Sequence, residues 1–213
     1  MRTVKKIIST TVTVLIFAII GALFFRIWSA DYCPKSMKKL FFTEALTEEY
    51  KESPESFEAF RQDIRIQYDD SKEGYFFALN TVLVPSADAL QTSVRYNDVL
   101  FEILEQEYGF APDMPKEDMF IYSAFACTGS DGDEGYTGTE YEPSEIIYDD
   151  FWMYTYAKLC FDDIDLDGVY WVRIDIYLNN EEKTRLGSLA VYENNERYNE
   201  LEKIKISKSE LPK

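Results

Sequence analysis

The chain has 213 residues, of which 46% are hydrophobic and 29% are charged, with 9 Gly and 7 Pro, a composition typical of one folded domain. It contains no histidine, which excludes mechanisms that use imidazole as base, proton shuttle or metal ligand, including Ser and Cys triads and most zinc hydrolase sites. Residues 1–30 hold four basic residues and no acid, which leaves 18 basic and 39 acidic residues, a net charge of −21, for the remainder.

The acidic charge of the remainder limits its partners. A domain of this charge is repelled by phosphate backbones and by anionic lipid surfaces, so we expect no nucleic acid partner and no peripheral membrane binding. Cations, basic proteins and neutral sugars are the expected partners. The three cysteines are too few for a disulfide framework, and no Asn-x-Ser/Thr acceptor occurs, which suits a bacterial envelope. Cys127 and Cys160 are predicted to be buried free thiols, with a disulfide between them as the alternative.

The N-terminal segment predicts a membrane anchor. Arg2, Lys5 and Lys6 precede 19 uncharged residues, IISTTVTVLIFAIIGALFF, which as a helix would span about 28 Å. We expect a cytoplasmic tail over residues 1–6 and a transmembrane helix over 7–28, with the C-terminal part outside the cell membrane. A cleavable signal peptide is the alternative, but its apolar core is usually about 7 to 15 residues and ends at small residues, whereas Trp28 lies two places before Ala30.

The segment after the anchor predicts a helix and a linker. Apolar residues recur at helical spacing between Pro34 and Tyr50, and Ser53-Pro54 reads as the break that follows. We therefore expect a juxtamembrane helix and linker over residues 29–60. From Ile64 onward the apolar period changes towards two, so an extracytoplasmic acidic β domain is expected over residues 61–213.

Two antiparallel hairpins are predicted. In the first, residues 77–84 pair with 89–96 across a four-residue loop, with Leu83 opposite Leu90 and Phe77 opposite Tyr96, one apolar face and one wet face. In the second, Asp167-Gly168 forms a two-residue turn that places Leu159 opposite Ile176 on the apolar face and Asp162 opposite Arg173 on the surface face.

Further segments complete the predicted fold. Residues 98–108 are expected to form a short helix, and 119–127, 152–166, 169–178, 186–192 and 204–206 are expected to be strands. Seven or eight short strands predict a mainly β chain: an N-terminal transmembrane helix followed by an antiparallel β-sandwich or open barrel with one or two short helices.

A candidate metal site lies in the second hairpin. Asp163, Asp165 and Asp167, followed by Gly168, match the first half of a calcium loop, in which oxygens at alternate positions converge on the ion. An EF-hand is excluded because its twelfth position would be Ile174 instead of Glu. In the predicted register Asp163 and Asp165 lie on the apolar face, where they would need solvent or a cation. The acidic run of residues 117–157 could complete the site, although a solvated loop is preferred; it includes Asp131, Asp133, Glu134, Glu140, Glu142, Glu145, Asp149 and Asp150.

Two further chemistries are open. Paired carboxylates suffice for acid and base roles in glycoside hydrolysis, but the sequence nominates no catalytic residue. Tyr136, Tyr141 and Tyr148 are candidates for exposed platforms that stack on sugar rings, with a role in the β core as the alternative. No cofactor other than calcium is suggested.

Three segments carry a resemblance: SADYCPKSMKKLFFTEALTEEY, GYFFALNTVLVPSADALQTSVRYN and IDIYLNNEEKTRLGSLAVYE. In these the chain resembles uncharacterised single-pass, membrane-anchored envelope proteins of Gram-positive, clostridial-type bacteria. The resemblance implies a bacterial membrane-anchored protein and supplies no catalytic residue. We therefore predict a non-enzymatic interaction domain for protein or wall polymer at the cell envelope. The alternatives are a calcium-dependent protein- or carbohydrate-binding module and a carboxylate acid–base hydrolase.

Overall fold

The fold was analysed on a computed structural model that describes residues 2–63, 76–97, 99–109, 114–128, 139–194, 201–206 and 211–212. The chain divides between Cys33 and Pro34 into two compact units. The second unit therefore includes residues 34–60, most of the predicted juxtamembrane helix and linker of residues 29–60, together with the β strands.

The first unit consists of one long helix, α1 (Arg2–Asp31). It includes the predicted helix of residues 7–28, and the side chains described between Thr10 and Phe25 are exposed. Within the described part of the chain, no helix has an apolar stretch of the length that a membrane crossing requires.

The second unit contains two antiparallel sheets and four short helices within its described residues. The helices are α2 (Lys35–Lys38), α3 (Glu44–Glu52), α4 (Val99–Tyr108) and α5 (Lys116–Met119). The strands are β1 (Phe60–Asp63), β2 (Phe76–Val84), β3 (Ala89–Asn97), β4 (Phe120–Cys127), β5 (Glu140–Tyr141), β6 (Glu145–Phe151), β7 (Tyr154–Phe161), β8 (Trp171–Leu178), β9 (Arg185–Glu193) and β10 (Glu202–Lys203). The prediction of a mainly β chain is thus confirmed, with more short helices than the one or two expected.

The two sheets share one core. The six-stranded sheet has the order β10-β1-β2-β3-β7-β6 and the four-stranded sheet the order β5-β4-β8-β9. Alternate side chains of both sheets meet in a buried apolar cluster that includes Phe76, Leu90, Leu159, Tyr122, Ile174 and Leu189. At the β9 edge, Thr81 donates to the carbonyl oxygen of Val191, and Gln62 donates to that of Glu193 at 2.9 Å. The arrangement is that of two sheets packed face to face.

The first predicted hairpin is present, and its register is right only near the turn. Leu83 lies opposite Leu90, as expected, but the register shifts between Ala78 and Asn80. Tyr96 therefore faces Phe76 instead of Phe77. The extra residue in β2 moves the side chains that precede it in the strand to the opposite face. Phe76 therefore enters the core, while Phe77 does not.

The predicted wet face of this hairpin is wrong, because residues 34–43 cover it; we call them the covering segment. Gln91, Ser93, Arg95 and Lys158 on this face are all buried. Side chains of the sheet bind backbone groups of the segment. Gln91 accepts a hydrogen bond from the Phe41 nitrogen at 2.9 Å and donates to its carbonyl oxygen at 2.5 Å.

Two further contacts hold the covering segment. Ser93 donates to the Met37 carbonyl oxygen at 2.8 Å, and Lys158 donates to that of Lys39. The predicted single helix of residues 34–50 is consequently two helices with an extended stretch between them, and the Thr43 hydroxyl caps α3 by accepting from the Leu46 nitrogen at 3.3 Å.

The second predicted hairpin is wrong. β7 belongs to the six-stranded sheet and β8 to the four-stranded sheet, so residues 162–170 cross from one sheet to the other. Asp167-Gly168 does lie in a turn, in which the Val169 nitrogen donates to the Leu166 carbonyl oxygen at 3.2 Å. The hairpin partner of β7 is β6, and the two strands are joined by the two-residue turn Trp152-Met153. The strand predicted over residues 152–166 is therefore shorter, because its first two residues form this turn and β7 ends at Phe161.

The remaining predicted elements are largely confirmed. The helix of residues 98–108 is α4, with Leu100 and Leu104 buried, and the strands of residues 119–127, 169–178 and 186–192 correspond to β4, β8 and β9. The predicted closing strand at residues 204–206 is misplaced: the strand here is β10, which ends at Lys203, and after it the Ile204 nitrogen still donates to the Ala59 carbonyl oxygen at 2.8 Å. The strand expected from Ile64 lies outside the described residues.

Candidate functional site

The outer face of the four-stranded sheet carries a cluster of polar side chains, which we call the outer-face network: Arg173, Asp175, Tyr177, Arg185 and Ser188. Ile174 and Ile176 of β8 point into the core, so the residues that alternate with them point outward. The β8–β9 register places Asp175 opposite Ser188 and Tyr177 opposite Arg185. Period-two alternation in one strand and its neighbour therefore assembles the network.

Asp175 is the centre of the network. Its Oδ1 lies 2.8 Å from Arg173 Nε, and its Oδ2 accepts from Arg173 Nη2 at 2.9 Å, a two-point pairing. Ser188 donates to Oδ1, and Tyr177 donates to Oδ2 at 3.4 Å. The carboxylate is 4% exposed, so the network holds it in one fixed orientation.

The two arginines of the network differ in exposure. The Arg173 side chain is 7% exposed, and its guanidinium lies over the Phe125 ring at 5.1 Å from the centroid. Arg185 is 42% exposed, donates to Ser188, and its Nη2 lies 3.7 Å from Asp175 Oδ1. The network carries two positive charges and one negative charge. Its solvent-exposed charged group is the guanidinium of Arg185.

Two titratable groups, Tyr177 in the network and Cys127 beside it, stay protonated at neutral pH. Burial, followed by the charge of Asp175, raises the pKa of Tyr177. Burial also raises the pKa of Cys127, against the opposing effect of Arg173. Neither group is therefore a ready nucleophile, and the site is better suited to binding than to covalent catalysis.

Aromatic side chains frame the network. On β4, Phe125 lies opposite Arg173 and Ile121 opposite Tyr177, while Trp171 occupies the first position of β8. These four apolar or aromatic residues are all half-buried: Ile121, Phe125, Trp171 and Tyr177. A rigid arginine–carboxylate pair surrounded by half-buried aromatic rings is typical of the central part of a protein interaction surface.

The predicted calcium residues lie elsewhere, in the crossover between the sheets. The side chains of Asp163, Asp165 and Asp167 are exposed and Ile164 is buried, so the expectation that Asp163 and Asp165 lie on an apolar face is wrong. The Asp167 nitrogen donates to Asp165 Oδ1 at 2.9 Å. Over the described ranges, no group of three or more Cys, Asp or Glu side chains is placed to hold a metal ion.

The calcium site itself stays a prediction, which the thermal midpoint measured with calcium and with chelator would test. Asp131, Asp133 and Glu134 of the acidic run lie outside the described residues. Asp149 and Asp150 are in β6, so part of the predicted solvated loop is an edge strand.

The candidate sugar platforms and the cysteines are also placed. Tyr141 and Tyr148 are half-buried against the core, and burial raises the pKa of Tyr148 to about 12, whereas Tyr136 lies outside the described residues. Cys127 and Cys160 are buried free thiols, as predicted, and burial raises the pKa of Cys160 to about 12.

Sequence reasoning missed the outer-face network, because it assigned Arg173 to a hairpin with Asp162. The alternation Arg173-Ile-Asp175-Ile-Tyr177 was the available signal.

No protein-family model, no curated protein and no solved structure matches the chain.

Proposed function

We propose that the chain is a single-pass, membrane-anchored protein of the bacterial cell envelope whose acidic β domain is a non-enzymatic interaction domain for a partner protein or wall polymer. The observation that carries the proposal is the outer-face network. Its central carboxylate, Asp175, is already paired, and Tyr177 in the network and Cys127 beside it are protonated. Its exposed charged group is Arg185, which lies among aromatic residues. These are properties of a preorganised binding surface.

The anchoring part of the proposal rests on the amino-acid sequence of α1. The sequence has 19 uncharged residues from Ile7 to Phe25, and the described large apolar side chains in this run are exposed, including Phe17 at 69% and Phe24 at 70%. Such exposure is unfavourable in water and favourable in hydrocarbon. Three basic residues before the run favour a cytoplasmic N-terminus.

Topology is tested by labelling intact Gram-positive cells with a membrane-impermeant maleimide. The full chain carries Cys33→Ser and one added cysteine, either at Glu48, an exposed position in α3, or directly before Met1. We expect labelling only of Glu48→Cys and retention of the chain in membranes after alkaline carbonate extraction. Labelling only of the N-terminal cysteine would reverse the topology, and release by carbonate would remove the anchor.

The binding surface is tested by photo-crosslinking in intact cells. A photoreactive phenylalanine analogue replaces Tyr177 in the network, or Tyr108, a 41% exposed tyrosine at the end of α4, as the matched control. We expect an adduct to protein or wall polymer from Tyr177, and its loss when Arg185→Glu is added. Equal adducts from both positions, or an adduct insensitive to Arg185→Glu, would contradict the assignment.

A further inference from the structure

The covering segment begins at the end of the six-stranded sheet that carries the β6–β7 turn. Along the sheet the segment passes from Asp162, which accepts from Thr43 at 3.1 Å, to Gln91 and then Ser93. Its first residues reach β6, where Ser36 donates to Asp149 Oδ2 at 2.5 Å. Only two paired rows of the sheet, those of Asp150 and Phe151, remain beyond Asp149. We call this end, where the chain enters the second unit, the entry end.

Large apolar side chains are exposed at the entry end. Trp152 is 65% exposed and Met153 is 40% exposed in the turn between β6 and β7. Val99, which begins α4 shortly after β3 ends at Asn97 opposite Tyr154, is 45% exposed. Exposed apolar groups gathered at one end of an otherwise acidic domain indicate a surface that contacts something.

The backbone at Trp152 strengthens this indication. Trp152 has φ +59° at the first position of a two-residue hairpin turn, a conformation that glycine adopts without cost and a bulky side chain does not. The sequence nevertheless places its most exposed described tryptophan there. A bulky residue kept at a turn position with an unfavourable backbone φ angle points to a role outside folding.

The charge at the entry end differs from that of the whole domain. Residues 32–43 contain Lys35, Lys38 and Lys39 and no acid, and all three lysines are exposed. Two carboxylates on the lysine side are engaged: Asp149 accepts from Ser36, and Asp150 pairs with Lys116 at 3.0 Å. Charges beyond about 8 Å are largely screened at physiological salt, so on the face covered by residues 34–43 the lysines outweigh remote acids.

Exposed acids at this end lie on the side of α4, α5 and the turn after β8: Glu102, Glu117, Asp118, Glu181 and Glu182. The last residue of β8 pairs with Phe120, which follows α5 and contacts Phe76 and Tyr96 near the entry end. Any contact with an anionic surface is therefore restricted to the side that carries the lysines.

From these observations we infer that the entry end rests on the anionic lipid surface of the membrane, with Trp152 and Met153 in the headgroup region and the α2 lysines facing lipid phosphates. The inference rests on the proposed anchoring by α1. Four residues lie between Asp31 and Ser36, so the chain from the end of α1 to Ser36 reaches at most about 18 Å. Tryptophan is enriched at this depth, and juxtamembrane lysines bind anionic lipid.

The test is quenching of Trp152 fluorescence by brominated lipid. The full chain with Trp28→Phe and Trp171→Phe, which leaves Trp152 as the sole tryptophan, is reconstituted into vesicles of brominated phosphatidylcholine and phosphatidylglycerol. We expect Trp152 to lose most of its intensity relative to vesicles of unbrominated lipid. The matched control retains only Trp171, which pairs with Cys127 at the far end of β4 from Phe120 and should keep its intensity.

The charge arm uses the same quenching with two charge reversals in each variant. Lys35→Glu with Lys38→Glu should abolish the quenching of Trp152. Lys51→Glu with Lys205→Glu alters the charge equally at exposed positions outside α2 and should leave it unchanged. Loss of the signal when phosphatidylglycerol is omitted would support binding through anionic lipid.

Two outcomes would overturn the inference: unquenched Trp152 in a chain that resists carbonate extraction, and equal quenching of Trp152 and Trp171. Release of the chain by carbonate would instead contradict the proposed anchoring. If Trp171→Phe does not fold, Met153→Cys in a Cys33→Ser chain can carry an environment-sensitive dye, because Cys127 and Cys160 are buried. A dye emission that is the same with and without lipid would also overturn the inference.

Discussion

Replacement of Asp175 by alanine should be strongly destabilising. In the folded chain the carboxylate accepts from Arg173 Nη2 and from Ser188, its Oδ1 lies 2.8 Å from Arg173 Nε, and Arg173 is 7% exposed. Without it the guanidinium remains buried and loses its counter-charge, a change that typically costs about 3–5 kcal/mol. Arg185 adds little to this cost, because it is 42% exposed and water screens its charge. We therefore expect Asp175→Ala to lower the free energy of unfolding by about 3–5 kcal/mol.

Urea unfolding of the full chain in detergent micelles, followed by circular dichroism, measures this loss by linear extrapolation. Asp150→Ala is the matched control, since its carboxylate pairs with Lys116 but is 62% exposed, and it should cost less than about 1 kcal/mol. Arg173→Met combined with Asp175→Leu removes both buried charges and should recover most of the stability. Equal costs for Asp175→Ala and Asp150→Ala would refute the reasoning.

Three further predictions follow from the same geometry. Burial would raise the pKa of Asp150, but hydrogen bonds from neighbouring Thr and Lys side chains outweigh it and lower that pKa. The stability lost in Lys116→Met should therefore be fully present above the unfolded pKa of about 4 and disappear as pH falls through the folded pKa, with a size below about 1 kcal/mol in pH-dependent urea unfolding. Since burial raises the pKa values of Cys127 and Cys160, a thiolate-selective reagent at pH 8 should modify neither in the folded chain and both in urea, as read by mass spectrometry. Gln91→Leu removes two hydrogen bonds to the covering segment and should cost about 2 kcal/mol, with faster tryptic cleavage of that segment than in wild type.

Local pattern predicted the first hairpin well and its far end poorly. Leu83 and Leu90 lie opposite each other because the turn between them is short and both side chains are apolar. The shift between Ala78 and Asn80 has no local signal, since Phe76 and Phe77 are equally suited to the core. Which of them is buried is decided by packing against Phe120 of the other sheet, which contacts Phe76 edge-on at 5.5 Å between ring centroids.

The second hairpin failed for a different reason. Asp167-Gly168 does form a turn, and the residues on either side alternate correctly, so the pattern was consistent with direct pairing of β7 and β8. Alternation identifies the buried face of a strand but not its neighbour. Here Trp152-Met153, which lacks the usual Asn-Gly or Gly signature, makes the hairpin between β6 and β7, while the residues around Asp167 cross between the sheets.

The outer-face network was hidden by the same error. Once Arg173 was assigned to a surface pair with Asp162, its true partner two residues along the same strand was not considered. Same-strand neighbours at i and i+2 share a face, so Arg173, Asp175 and Tyr177 could have been grouped from the sequence alone. The contribution of Arg185 and Ser188 could not, since it depends on the irregular β8–β9 register.

The buried polar face of the six-stranded sheet explains why the second unit begins at Pro34. Ser93 and Lys158 lie opposite each other on β3 and β7, and each donates to a carbonyl oxygen of the covering segment. A chain that began at residue 61 would expose these groups together with Val82 and Val84, which share a buried cluster with Leu46. The polar row is therefore not a wet surface but a set of donors and acceptors matched to one extended peptide. Since backbone groups carry most of that match, it constrains the path of residues 34–43 more than their side chains.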